Sequence, residues 1–153
     1  MTVTLITSGT YSVDPSLTME REGLKLTAYL CPAGKLTIGY GHTGDDVFAG
    51  MCITPDKADF LLTRDLMASA NTVARLVKVD LNDRQFSALV DFVFNLGGGA
   101  LAASTLLEKL NDSDYRGAAD QFLLWDKAHV DGQLVVVSGL TIRRQREREE
   151  FLS

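Results

Sequence analysis

The sequence predicts an α+β fold that is mainly helical, with a small sheet near the N-terminus beside a body of five or six helices. Three observations carry this. The stretch from Glu22 to Gly44, EGLKLTAYLCPAGKLTIGYGHTG, holds a compact strand-like segment, Leu36 to Tyr40, punctuated by Gly34, Gly39, Gly41 and Gly44. Only a few short strands can be built there. From Thr54 onward, apolar residues recur at helical spacing behind helix-start signals. The chain has 153 residues, 46% hydrophobic and 23% charged. That is an ordinary balance for a single domain, and a chain of this size buries roughly 70% of the surface it exposes when unfolded.

Residues 1–13 are rich in Thr, Ser and Val and read as an extended or loosely held arm. Asp14-Pro15 is a helix start, with Asp as N-cap and Pro in the first helical position. Gly23 can end that helix just after Glu22. Pro32-Ala33-Gly34 is a turn signal, residues 35–41 read as a strand with a Gly break, and Gly44-Asp45-Asp46 is another turn. The sheet-bearing part is expected over about 24–53 and the helical body over about 54–153.

Thr54-Pro55 opens the next helix, which carries Leu61, Leu62, Leu66 and Val73. Asn82 or Asp83 caps another, in which Phe86, Leu89, Val90, Val93 and Phe94 make it apolar nearly all round, so it belongs at the centre of the core. The glycines 97–99 stop it. Ser104 or Thr105 caps a short helix, with Glu108 placed for a capping box. Asp112 or Ser113 starts one through Phe122 and Trp125. Residues 127–138 read as a loop with a strand-like piece, and a charged helix runs from Gly139.

The net charge of −5 argues against a general binder of nucleic acid or anionic membranes, which use basic surfaces. No apolar run approaches the roughly 20 residues of a membrane span. The first residues lack a basic n-region, so no signal peptide is expected. The two cysteines, Cys31 and Cys52, form no metal-binding pattern, and neither a metal nor a cofactor is implied. Whether they form a disulfide is open. Arg143, Arg144, Arg146 and Arg148 alternate with acidic residues. They read as a solvated helix with intrahelical ion pairs, or as a face from which one or two arginines turn toward an acidic site.

Glu22, Cys31 and Thr37 put a carboxyl, a thiol and a hydroxyl close together on or beside non-helical backbone, where catalytic groups are commonly held. Glu22 also lies at a helix C-terminus, whose negative dipole end disfavours an ionised carboxylate. Alone, this spacing is also compatible with an exposed carboxylate, an inert thiol and an ordinary strand threonine.

The wider pattern resembles the phage-type lysozymes, the endolysins of glycoside hydrolase family 24. The resemblance rests on Glu22-Gly23, Ala28-Tyr29, Gly34 and TIGYGHTG. It continues in TPDKADFLLTRDL at 54–66, QFSALVDFVFNLG at 85–97, STLLEKLN at 104–111 and the GL-x-x-RR-x-x-E pattern at 139–147. Residues 1–13 and 127–138 have no counterpart. The resemblance implies a lysozyme-like fold with a small antiparallel sheet and a cleft between sheet and helices. The implied substrate is peptidoglycan, cut at the β-1,4 link between N-acetylmuramic acid and N-acetylglucosamine. The catalytic residues implied are Glu22, Cys31 and Thr37, with Cys31 where an aspartate is commoner. A neutral thiol is a poor base, but a thiolate is a strong nucleophile.

Asn95 and Tyr40 are implied as substrate contacts, with Asn95 equally readable as a helix cap. His42 is expected to pair with Asp65 in a structural role, and Arg143 or Arg144 to lie near Glu22. Trp125 is expected to pack rather than to form a sugar platform. The implied protein is a monomer that acts on glycan strands in host lysis, without nucleic-acid partner or membrane insertion. It would wait in the host cytoplasm and depend on a separate pore protein to reach the wall. A non-hydrolytic peptidoglycan-binding or regulatory protein on the same fold stays open as the alternative, as does a lytic transglycosylase.

Overall fold

The computed structural model describes residues 6–153. Strands β1 (Ile6–Ser8) and β2 (Tyr11–Val13) form an antiparallel hairpin turning at Gly9 and Thr10. Of the expected extended or loosely held arm, residues 6–13 are thus extended and paired rather than loose; residues 1–5 lie outside the described residues. The Tyr11 ring stacks on Phe86 at 4.2 Å between centroids, and Val13 is buried. Helix α1 (Ser16–Glu22) begins one residue later than Asp14-Pro15 suggested. Asp14 Oδ1 accepts from the Ser16 amide and hydroxyl at 2.9 and 2.6 Å instead of capping deeper in the turn. Gly23, at φ +70°, ends the helix in the left-handed region that glycine tolerates.

Strands β3 (Lys25–Leu30), β4 (Leu36–Gly39) and β5 (His42–Thr43) make a three-stranded antiparallel sheet in that order. Register pairs Tyr29 with Thr37 and Thr37 with Thr43, so these three side chains share one face. Ile38 points the other way, into a small apolar cluster with Val47 and Leu61. Cys52 bridges back to Thr27 and ties the end of this subdomain to its first strand.

Helix α2 (Pro55–Leu76) starts as expected, with Thr54 Oγ1 accepting from the Lys57 amide at 3.1 Å. Helix α3 (Asp83–Leu96) opens with a capping box in which Asn82 and Gln85 each accept the other's amide. Its residues 86–93 are all buried. It runs through the core against α2, β2 and the last helix, α7 (Ser138–Leu152). The glycine run ends α3 but also supplies the short α4 (Gly98–Ala102).

Ser104 caps α5 (Thr105–Asn111). The next helix, α6 (Tyr115–Phe122), is capped by Asp114 and not by Asp112 or Ser113. Ser113 has φ +64°, a left-handed break that separates the two helices. Residues 127–138 hold a hairpin, β6 (Lys127–Val130) and β7 (Gln133–Val136), turning at Asp131 and Gly132, both at positive φ. Val130, Leu134 and Val136 stand exposed on it.

The charged last helix is not simply solvated. Arg143, Arg144 and Glu147 are buried, while Arg146 and Arg148 pair with Glu20 of α1 and Asp120 of α6. The expected intrahelical pairs are mostly interhelical because α7 packs between other helices. Among the described residues, no helix is long and apolar enough to cross a membrane.

Candidate active site

The sheet and the helical body face each other across an open cleft of about 630 Å³. Tyr29, Thr37 and Thr43, the cross-strand row defined by the register, form one wall with Cys31 and Lys35. Phe94 and Asn95 at the end of α3 and Asp65 of α2 form the other, and Glu22 enters from the end of α1. Short strands on a pleated sheet can present such a row only on one face, which is why the buried Ile38 contributes nothing to the cleft.

Glu22 is gripped from two sides. Arg143 Nη1 donates to Oε1 at 2.8 Å. The other oxygen rests on the bare Cα of Gly41, where an added Cβ would lie 2.6 Å from Oε2 and 2.9 Å from Cδ. Gly41 also stands at φ +71°, so its lack of a side chain serves both backbone and carboxylate.

Cys31 closes β3 and opens a tight turn, with its amide donating to Lys35 O at 3.0 Å and the Gly34 amide donating to Cys31 O at 2.8 Å. The backbone amides of this turn, Lys35 first and then Ala33, outweigh partial desolvation and hold the thiol below its ordinary value. Thr37 is buried, and its hydroxyl donates to Lys35 O at 3.0 Å. It therefore holds the turn that carries Cys31 rather than standing free in the cleft. Partial burial, and then the charges of Glu22 and Cys31, push the Tyr29 phenol up.

His42 meets Asp65 as expected, through Nδ1 at 2.7 Å, and adds a partner not foreseen, Asp46, at 3.0 Å from Nε2. Burial alone would lower its pKa, but these two carboxylates outweigh that and raise it. With a carboxylate facing each ring nitrogen, the ring clamps β5 to α2, most firmly when protonated. Arg143, not Arg144, reaches Glu22. Arg144 donates to Asn95 Oδ1 at 2.8 Å and to Glu147 Oε1 at 2.7 Å. Asn95 thus lines the cleft while anchored from behind.

Tyr40 requires a correction. It is 8% exposed, belongs to the main core and does not line the cleft. Gly39 and Gly41, both at positive φ, break the two-residue alternation and turn it inward. Trp125 packs edge-on against Phe92 at 5.4 Å. Sequence reasoning passed over Thr18, Asp46, Asp91 and Glu147. The available signal was an aspartate inside the apolar run ALVDFVFN and a glutamate three and four residues beyond Arg144 and Arg143.

A two-lobed α+β molecule with a carboxyl group at the helix–sheet junction of an open, polysaccharide-sized groove is of the lysozyme class. The chain belongs to the phage lysozyme family, whose model, described as "Phage lysozyme", matches residues 19–147. An endolysin of Acyrthosiphon pisum secondary endosymbiont phage 1 is 42% identical over 132 residues, covering 86% of this chain and 90% of that protein. The solved endolysin from Escherichia coli O157:H7 phage FAHEc1 superposes with a TM-score of 0.88 at 32% identity, covering 96% of this chain and 97% of the other. The muramidase domain of SpmX from Asticaccaulis excentricus gives 0.84 at 37% identity, over 90% and 93%. The protein is accordingly a lysozyme, a glycosidase that hydrolyses peptidoglycan.

Proposed function

We propose that the enzyme is a muramidase that cuts the β-1,4 bond between N-acetylmuramic acid and N-acetylglucosamine. Glu22 is its general acid, and Cys31, oriented by Thr37, is the second group. The observation that carries this is the convergence of Glu22, Cys31 and Thr37 on one cleft. Glycoside hydrolysis needs an acid at the leaving oxygen and a second group across the sugar ring. Glu22 gives its proton to the leaving oxygen as the glycosidic bond breaks. The Cys31 thiolate either bonds to the anomeric carbon, to be displaced by water, or takes a proton from the attacking water. A retained product anomer marks the first route and an inverted one the second. Asn95 and Lys35 offer polar contacts to the glycan.

In the cell, the enzyme serves host lysis. It waits in the cytoplasm and reaches the wall through a separate pore protein, acting as a monomer. Its net charge of −5 gives it little electrostatic pull toward an anionic envelope. The test is turbidity loss of outer-membrane-permeabilised cells, with mass spectrometry of the released muropeptides. Glu22→Gln should fall by about a hundredfold or more. Cys31→Ala should lose most activity, and Cys31→Asp should keep a substantial part. Equal clearing by wild type and Glu22→Gln would sink the assignment, and anhydro-muramyl ends would make the protein a lytic transglycosylase.

A further inference from the structure

Behind Glu22 lies a buried ionic cluster that the proposed chemistry leaves unused. Asp91 of α3 and Arg143, Arg144 and Glu147 of α7 are each at most 4% exposed. Asp91 is well supplied with donors: Arg143 Nε and Nη2 at 2.9 and 2.7 Å, and the Thr18 hydroxyl of α1 at 2.6 Å. Glu147 is not. Its Oε1 accepts one bond from Arg144 at 2.7 Å, while its Oε2 is buried and unpartnered among the described residues.

An ionised carboxylate sealed from water needs donors on both oxygens. A protonated one is neutral, and burying it with one oxygen unpaired costs far less. Asp91 and Glu147 share one buried cluster, where the charge of the first opposes ionisation of the second. The proton stays on the one with fewer donors, which is Glu147.

We propose that Glu147 is a neutral acid in the folded protein, and that Asp91 is a positioning residue which fixes Arg143 against Glu22. The same guanidinium bonds both carboxylates, so any change in the charge or place of Asp91 is felt at Glu22. The groups facing Glu147 are Asp91 from α3 and Arg143 and Arg144 from its own helix, with Thr18 and Glu22 of α1 beyond them. Burial, then Asp91, pushes the Glu147 carboxyl well above its usual range. Burial alone would raise Asp91 too, but the hydrogen bonds from Arg143, and then that from Thr18, hold it below its usual range. The positioning role rests on Glu22 being the acid; the protonation of Glu147 does not.

The test has two arms. Carbon-13 NMR of carboxyl-labelled glutamate should show, at pH 7, a protonated resonance that disappears in Glu147→Gln. A Glu147 resonance at the ionised position would overturn the first half. For the second half, Asp91→Asn should lower kcat by about tenfold or more with KM little changed. It should also move the alkaline limb of the pH–rate profile to lower pH, because Arg143, freed of Asp91, then bears wholly on Glu22. A folded Asp91→Asn with the wild-type limb would overturn it. Should that variant fail to fold, Asp91→Ser, smaller and also neutral, carries the same expectation. A wild-type protein inactive on peptidoglycan would refute the function proposed above and with it the positioning role, while the NMR arm would still decide the state of Glu147.

Discussion

The hydrogen that Gly41 carries in place of a side chain is what lets Glu22 sit where it does. Gly41→Ala would set a methyl carbon against the carboxylate and force a left-handed alanine, a strain of about 1 kcal/mol before any displacement. Moving a catalytic carboxyl by about an ångström costs on the order of a hundredfold in rate. The expected result is a folded protein with kcat down by about that factor, read by muropeptide release and thermal unfolding in parallel. Cys31 offers a second check. Its turn amides hold the thiol below its ordinary value, so alkylation by iodoacetamide should rise with pH at a midpoint below the free-thiol value of about 8.5. Mass spectrometry of the Cys31 peptide measures this, and a midpoint above that value would mean that the turn does not stabilise the thiolate.

The elements divide into those that place the site and those that do not. Helix α3 does most of the placing, since it carries Asp91 and Asn95 and touches α2, β2 and α7. Its capping box is local and separable from the cleft. Asn82→Ala should cost about 1 kcal/mol in denaturant unfolding with activity unchanged at temperatures where the variant is folded. The β1–β2 hairpin contributes to the same core through Tyr11 and Val13, and its backbone is tied to α3 by the Ser12 amide on Asp83 and the Asp14 amide on Ser87. The β6–β7 hairpin, by contrast, keeps its apolar side chains exposed and stands apart from the cleft.

For the molecule as a whole, the ionisable groups set how stability varies with pH. Glu150 is partly buried and its carboxyl is pushed up from 4.5 to about 7, by burial first and then by Asp14 and Asp91. A raised folded-state value means that the folded form holds the proton more tightly. The contribution is therefore complete below about 4.5 and lost as pH rises through about 7. Glu147 and His42 are raised as well and act in the same direction. Asp46 and Asp91, held low, lose their contribution only as pH falls through the acid range. Unfolding temperature should therefore peak at mildly acidic pH and decline toward pH 8, and Glu150→Gln should flatten part of that decline. A wild-type midpoint that climbs steadily from pH 5 to 8 would contradict this.

Local chemistry was legible in the chain because it acts over a few residues. Thr54, Asn82 and Ser104 announced helix starts through their own side chains, Gly23 and the glycines at 97–99 announced ends, and the run from Phe86 to Phe94 announced the core helix through its periodicity. Glu22, Cys31 and Thr37 could be singled out for the same reason, since fifteen residues of strand and turn connect them. What fell outside that reach depends on packing between distant segments. Whether an arginine of α7 meets water or Glu22, 121 residues away, is decided by how α1, α3 and α7 close on one another. The inward turn of Tyr40 and the docking of the first hairpin have the same origin. So does the fate of Asp91 and Glu147, because a carboxyl's charge state follows from the donors and the water that the assembled fold leaves around it.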